Sequence, residues 1–234
     1  MTGILLLAAA CGKDSRCGKA TGEIQTVTRD LAAFDSLYID DKINVILKPS
    51  TLNRATITCG KNLVDYVITE NNGRELIIRN DNRCNFLRSY KKPITITLEF
   101  TALWKINLRG GGKVSCVDTI VQPYFEVDGN FCSGDFDLLL HTDSTRFTLH
   151  TGNSNVVLKG KSTLAYFYSG GTTILDAAGL STTNCNANNS GSGDFTVKVS
   201  NYLYAVVRDL GYVYYQGSPY VDKNVTGTGD VLQK

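Results

Sequence analysis

The sequence predicts an all-β fold of the solenoid type, one chain winding in parallel coils of about 20 residues. Three observations carry this. Apolar and polar residues alternate with period two along most of the chain, as on half-buried strands. The composition holds 22 Gly, 12 Tyr and a single Met, which suits strands and tight turns. A glycine followed closely by an apolar strand start recurs through the second half.

The elements follow in order. Ser36-Leu37-Tyr38-Ile39-Asp40 and Lys42-Ile43-Asn44-Val45-Ile46-Leu47-Lys48 alternate cleanly, and Pro49-Ser50 stops the second. Arg54 to Cys59 reads as a third strand. The stretch Leu63 to Ile68 fits a short helix or a strand equally well. Asn71-Asn72-Gly73 is a turn signal before the strand Glu75 to Arg79, and Ile94 to Phe100 alternates again. No stretch sustains a 3.6-residue period over three turns, so a helical domain is excluded.

The repeat instances place glycines at 112, 134, 152, 171, 193, 211 and 229, each just before an apolar residue. Those apolar positions are 114, 136, 156, 174, 195, 213 and 231, separated by 22, 20, 18, 21, 18 and 18 residues. A unit this short cannot bury its own core, and stacking supplies one. Phe136, Val156, Ile174, Phe195, Val213 and Val231 are then expected in one inward column. Gly134, Gly152, Gly171, Gly193, Gly211 and Gly229 are expected as structural corners, where the backbone needs positive φ and a side chain would strike the next coil. The LxxLxLxxN pattern of leucine-rich repeats is absent, so a parallel β-helix is the expected form.

At the N-terminus, Ile4-Leu5-Leu6-Leu7-Ala8-Ala9-Ala10 is too short to span a bilayer but has the length of a signal-peptide core. Small residues directly before Cys11 resemble a bacterial lipobox, which makes Cys11 the expected site of lipidation. The chain divides into a signal segment over 1–11, a flexible tether over 12–26 and a β-helical domain over 27–234. Within the domain, 27–108 would form N-terminal coils and 109–234 the glycine-corner repeats. The expected location is the bacterial cell envelope, anchored by lipid to the outer membrane on its periplasmic or surface face.

Cys17, Cys59, Cys84, Cys116, Cys132 and Cys185 remain after Cys11. Six cysteines pair in 15 ways, so disulfides and free buried thiols both stay open. Without a CxxC or a Cys/His cluster no zinc site is expected, and a formal net charge of +2 gives no electrostatic case for nucleic acid.

The chain resembles the bacterial family of auto-transporter adhesin head GIN domains, exported and often lipid-anchored. The resemblance runs from about Val27 onward. It rests on Phe34-Asp35-Ser36-Leu37-Tyr38-Ile39, on Ile43 to Leu47, on Asn62 to Val67, on Leu76-Ile77-Ile78, on Ile94 to Leu98 and on Leu103-Trp104-Lys105-Ile106-Asn107-Leu108. The recurring Gly-Asp-Phe and Gly-Asp-Val corners complete it. It implies a right-handed parallel β-helix at the surface or in the periplasm.

The candidate chemistry is sparse. Asp135, Asp137 and Asp194 fit paired carboxylates or calcium ligands, although Asp beside a corner glycine is commonly a turn former. His141 and His150 lie near Asp143 without a nucleophile elbow, and Asn184, Asn186, Asn188 and Asn189 suggest turn contacts or an amide ladder. No catalytic residue, metal or cofactor is expected. Tyr202, Tyr204, Tyr212, Tyr214 and Tyr215 crowd the last coils and would serve either as ligand-contact platforms or as a cap on the open end. The expected function is therefore non-catalytic, adhesin-like recognition of a glycan or protein. The alternatives are structural assembly in the envelope and a polysaccharide-acting enzyme.

Overall fold

A computed structural model describes residues 20–83 and 93–234. The apolar leader, Cys11, Cys17 and Cys84 lie outside the described residues.

The strands are β1 (Ile24–Asp30), β2 (Ser36–Asp40), β3 (Ile43–Pro49), β4 (Arg54–Gly60), β5 (Val67–Asn72), β6 (Glu75–Asn80) and β7 (Ile94–Phe100). They continue as β8 (Lys105–Cys116), β9 (Ile120–Leu149), β10 (Asn155–Ser169), β11 (Ile174–Asn189), β12 (Phe195–Val207), β13 (Val213–Gln216), β14 (Tyr220–Val225) and β15 (Val231–Gln233). All fifteen belong to one hydrogen-bonded sheet wound upon itself. The strands β8 to β12 bend at corners, so each contributes to two legs of the solenoid, here called front and rear.

The front leg runs from β2 through the start of β8, by the pair Ile106↔Val127 into β9, and on through Phe147↔Phe167, Ala187↔Ala205 and Leu203↔Val221. The rear leg runs from β3 through Val45↔Val114 and Val114↔Phe136 to β13 and β15. From β8 onward every pairing between coils is parallel. The predicted parallel β-solenoid is the observed fold.

Residues of alternate parity turn inward and are buried. Phe125, Phe136, Phe147, Phe167 and Phe195 fill the space between the legs with Leu, Val and Ala. The rings of Phe136, Phe147 and Phe167 meet edge-on, at 5.8 Å and 86° and then at 6.4 Å and 61°. Such contacts add to the stabilisation from burial alone.

The inward column differs from expectation at one position. Val156 pairs with Leu175, and Leu175 with Phe195. Ile174 pairs with Asn155 and is 55% exposed. Parity explains it. The inward residue follows its corner glycine by two at Phe136, Phe195, Val213 and Val231, and by four at Val156 and Leu175. Ile174 follows Gly171 by three, so it faces out.

The glycine corners also need correction. Of the six predicted, only Gly152 has positive φ (+119°). The requirement for glycine at the others is the lack of room. A Cβ on Gly171 would enter the carbonyl of Gly152, and one on Gly229 the carbonyl of Gly211. Gly134 stands apart from that column, above Gly112.

The segment 27–108 is not a plain run of coils. Strands β1/β4, β4/β7 and β5/β6 pair antiparallel and extend the two legs at the N-terminal end. The hairpin β5–β6 closes on Gly73 and Arg74 alone, and so short a connection cannot return a parallel strand. Strand β1 begins at Ile24, so the last residues assigned to the tether are paired to β4. The ambiguous stretch at Leu63 becomes one 3-10 turn, Val64–Tyr66, followed by β5. Cys59, Cys116, Cys132 and Cys185 are free thiols, and all but Cys116 are fully buried as small hydrophobes.

Candidate functional site

Parallel stacking brings residues one coil apart to about 4.8 Å, so the outward side chains of the front leg form columns. One column reads Ser144, Leu164, Asn184, Tyr202, Tyr220. Its neighbour reads Arg146, Tyr166, Asn186, Tyr204, Asp222. The coil carrying Asn184 and Asn186 has short side chains between coils carrying longer ones, which leaves a notch. Leu164, Asn184, Cys185, Asn186, Tyr202, Tyr204 and Asp222 line it, and its volume is about 430 Å³.

Contacts among the lining side chains and with their neighbours hold the walls in place. Tyr202 and Tyr220 stack at 6.0 Å and 10°. The Tyr202 hydroxyl donates to Asp222 Oδ2 at 3.2 Å. Loss of water, then this carboxylate, raises the Tyr202 phenol above its ordinary pKa. The Arg146 guanidinium lies 4.4 Å from the Tyr166 ring centre, and Arg208 Nη1 donates to Asn188 Oδ1 at 2.7 Å. Asn184 Oδ1 accepts from Asn201 at 2.9 Å.

A second recess opens on the same outer face, lined by Tyr38, Asn107, Leu108, Arg109, Asp128, Asn130 and Phe131, with a volume of about 350 Å³. Here β9 carries one extra residue against β8, since Leu108 pairs with Gly129 but Gly110 with Cys132. The bulge holds Phe131 at φ +53°, and the residue is 73% exposed.

In the coils that carry the second recess, the Trp104 and Tyr124 rings lie 6.1 Å apart, and the Tyr124 hydroxyl donates to Glu126, which also pairs with Lys105 at 3.0 Å. Burial, then the Glu126 hydrogen bond, pushes the Tyr124 phenol up to about 12. For Glu126, burial acts upward, but the Tyr124 and Lys105 hydrogen bonds outweigh it and hold its pKa low. A raised phenol pKa favours the neutral form in the folded chain. Its stabilisation is therefore full below pH 10 and is lost as pH rises toward 12. Titration followed by tyrosinate absorbance should show Tyr124 ionising late, and Glu126→Gln should advance it. An unchanged midpoint in that variant would leave burial as the whole cause.

The tyrosines do not converge. Tyr202 and Tyr204 belong to the front notch. Tyr212 and Tyr214 stack at 5.7 Å at the rear, where Lys234 Nζ lies 3.8 Å from the Tyr214 ring centre. Tyr215 turns toward the core. Nor do the aspartates converge. Asp135 Oδ1 accepts from the backbone of Asn155 at 3.1 Å, and Asp194 Oδ1 from that of Tyr212 at 2.9 Å, each tying a corner to the next coil. They are three coils apart, about 14 Å. Asp137 lies between Lys113 and Lys159 at 3.5 Å and 3.3 Å. Both histidines are exposed, and His150 faces Asp128 at 3.6 Å and Tyr168 at 5.7 Å rather than Asp143. Asn189 is buried, donating to Gly193 and Tyr212 carbonyls at 2.7 Å and 3.2 Å, a turn contact rather than an amide ladder. Among the described residues no three His, Cys, Asp or Glu side chains cluster to hold a metal.

Leu164, Asn184, Asn186 and Asp222 were not identifiable as one site from residue type. The usable signal is spacing: 184, 202 and 220 differ by 18, as do 186, 204 and 222.

The strand order and pairing define a parallel β-solenoid with columned outer faces. The chain belongs to the family described as "Putative auto-transporter adhesin, head GIN domain", whose profile matches residues 33–219. Among solved structures, it is similar to a "putative adhesin" from Bacteroides fragilis, with TM-score 0.83 and 20% identity over 91% of this chain and 97% of that one. It is similar also to a "putative adhesin" from Parabacteroides distasonis, with TM-score 0.67 and 18% identity over 91% and 98%. A "Putative lipid binding protein" from the same species gives 0.66 and 16% over 92% and 98%. At these identities the likeness shows the fold. No curated protein matches the chain. The family is one of cell-surface or exported proteins.

Proposed function

We propose that this chain is a lipid-anchored, non-catalytic recognition module of the bacterial cell envelope, which holds a ligand against the outer face of its front leg. The observation that carries the reading is the concentration of exposed aromatic, amide and charged side chains on that face, in two recesses on a rigid scaffold. Family membership supports an adhesin-like role. The lipobox-like sequence at Cys11 supports the anchor. The corner aspartates are committed to backbone hydrogen bonds, which favours binding over catalysis.

Two measurements test it. Cells producing the full chain should incorporate a labelled fatty acid into it, and Cys11→Ser should abolish incorporation; equal labelling of both would refute the anchor. The purified domain should bind saturably to at least one member of a panel of glycans, matrix proteins and bacterial surfaces. Absence of saturable binding across the panel would refute the recognition role.

A further inference from the structure

We infer that the notch over Asn184 and Asn186 is a binding site for a neutral saccharide, an assignment that rests on the recognition reading and gives it a ligand class. The first reason is what the notch offers. Among the described residues, the Asn186 amide and the Tyr204 hydroxyl have no hydrogen-bond partner, and Asn184 uses only its oxygen. Each is on the lining of the same notch. An amide supplies two donors and an acceptor, and a phenol one of each, the complement of vicinal sugar hydroxyls.

The second reason is the walls. Tyr220 covers one face of the Tyr202 ring, leaving the other for the notch, and Leu164 on the opposite wall is 47% exposed. An apolar wall beside hydrogen-bonding groups suits a pyranose, which has an apolar C–H face and a polar rim.

The third reason is what the notch withholds. It lies over the middle of the sheet, where the β11 backbone is bonded to β10 on one side and β12 on the other. An extended peptide recognised through its main chain needs a free strand edge, and none is present there. Charge narrows the class further. Asp222 is the one ionised group on the lining, so uronic or sialic acids would meet a like charge. Along the solenoid axis, equivalent residues of successive coils recur every ~4.8 Å, so further sugar units can meet Tyr166 and Tyr168 on the neighbouring coil.

The test uses short neutral oligosaccharides, gluco-, manno-, xylo- and galacto-configured, titrated into the folded domain with the side-chain amides of Asn184 and Asn186 observed by NMR. At least one series should shift those amides saturably. Tyr204→Ala should weaken that binding at least about tenfold. Asn186→Ala, which removes a half-buried amide without a partner, should weaken it too, while Tyr214→Ala on the rear leg should leave it unchanged. Acidic oligosaccharides of matching linkage should bind more weakly, with the gap narrowed by Asp222→Asn. The inference is overturned if no neutral series shifts the two amides, or if Tyr204→Ala and Asn186→Ala both bind as the parent does. Saturable binding of some other ligand that survives both substitutions would overturn the saccharide notch while leaving the recognition role intact.

Discussion

Phe147→Ala should destabilise the domain by about 3–5 kcal/mol, read as a melting temperature lower by roughly 10 °C or more. Phe147 is 1% exposed and stands between Phe136 and Phe167 in an edge-to-face series, so its removal empties a space bounded by two other rings. The strands around it are bonded to coils above and below, which limits how far the walls can close in. Phe147→Leu retains most of the volume and should cost about 1.5 kcal/mol or less. Because each coil touches only its neighbours, the loss should also appear as faster amide exchange in the adjoining coils before the distant ones. Equal melting temperatures for Phe147→Ala and the parent would mean that the ring does not pack as described.

Gly152→Ala should cost about 3 kcal/mol or more, from two causes that act together. At φ +119° an L side chain is strained, and its Cβ would enter the carbonyl group of Cys132 in the coil below. The obstacle is backbone, so it cannot swing aside as a side chain would. Nor is the coil above free to shift, because Thr172 donates from its backbone to the Gly152 carbonyl at 2.9 Å. Gly73→Ala is the matched control. Its φ is +61° but nothing lies within 4 Å of the added carbon, so conformational strain of about 1–2 kcal/mol should be its whole cost. If the two substitutions cost the same in thermal or urea denaturation, close stacking is not what demands glycine at position 152.

The solenoid was readable in the sequence because its rule is repetitive. Every coil needs an inward residue after a tight corner, and the Gly-Asp-Phe and Gly-Asp-Val corners state that rule openly. Misplacing Ile174 shows the limit of such reading. The distance from glycine to inward residue is two in some coils and four in others, and only a consistent parity count selects Leu175. The positive φ expected at all six corners failed at five because crowding alone suffices to require glycine. The N-terminal antiparallel strands were hidden because a strand's alternation does not record the direction of its partner, as β4 and β7 illustrate. The tyrosines were conspicuous by number, but number did not reveal that Tyr215 turns inward while Tyr202 and Tyr204 share a face with Asn184 and Asn186. That grouping depends on which coil lies over which, a tertiary fact that residue type alone does not contain.

Both recesses therefore exist only in the stated register of the coils. Amide-to-amide NOEs in a deuterated sample report that register directly, since parallel neighbours bring specific amides close. The predicted result is a ladder joining the coils of Val156, Leu175, Phe195 and Val213, and another joining those of Leu164, Asn184, Tyr202 and Tyr220. Cross-coil NOEs that instead fit Ile174 in the inward register, or an antiparallel pattern between β10 and β11, would contradict the account.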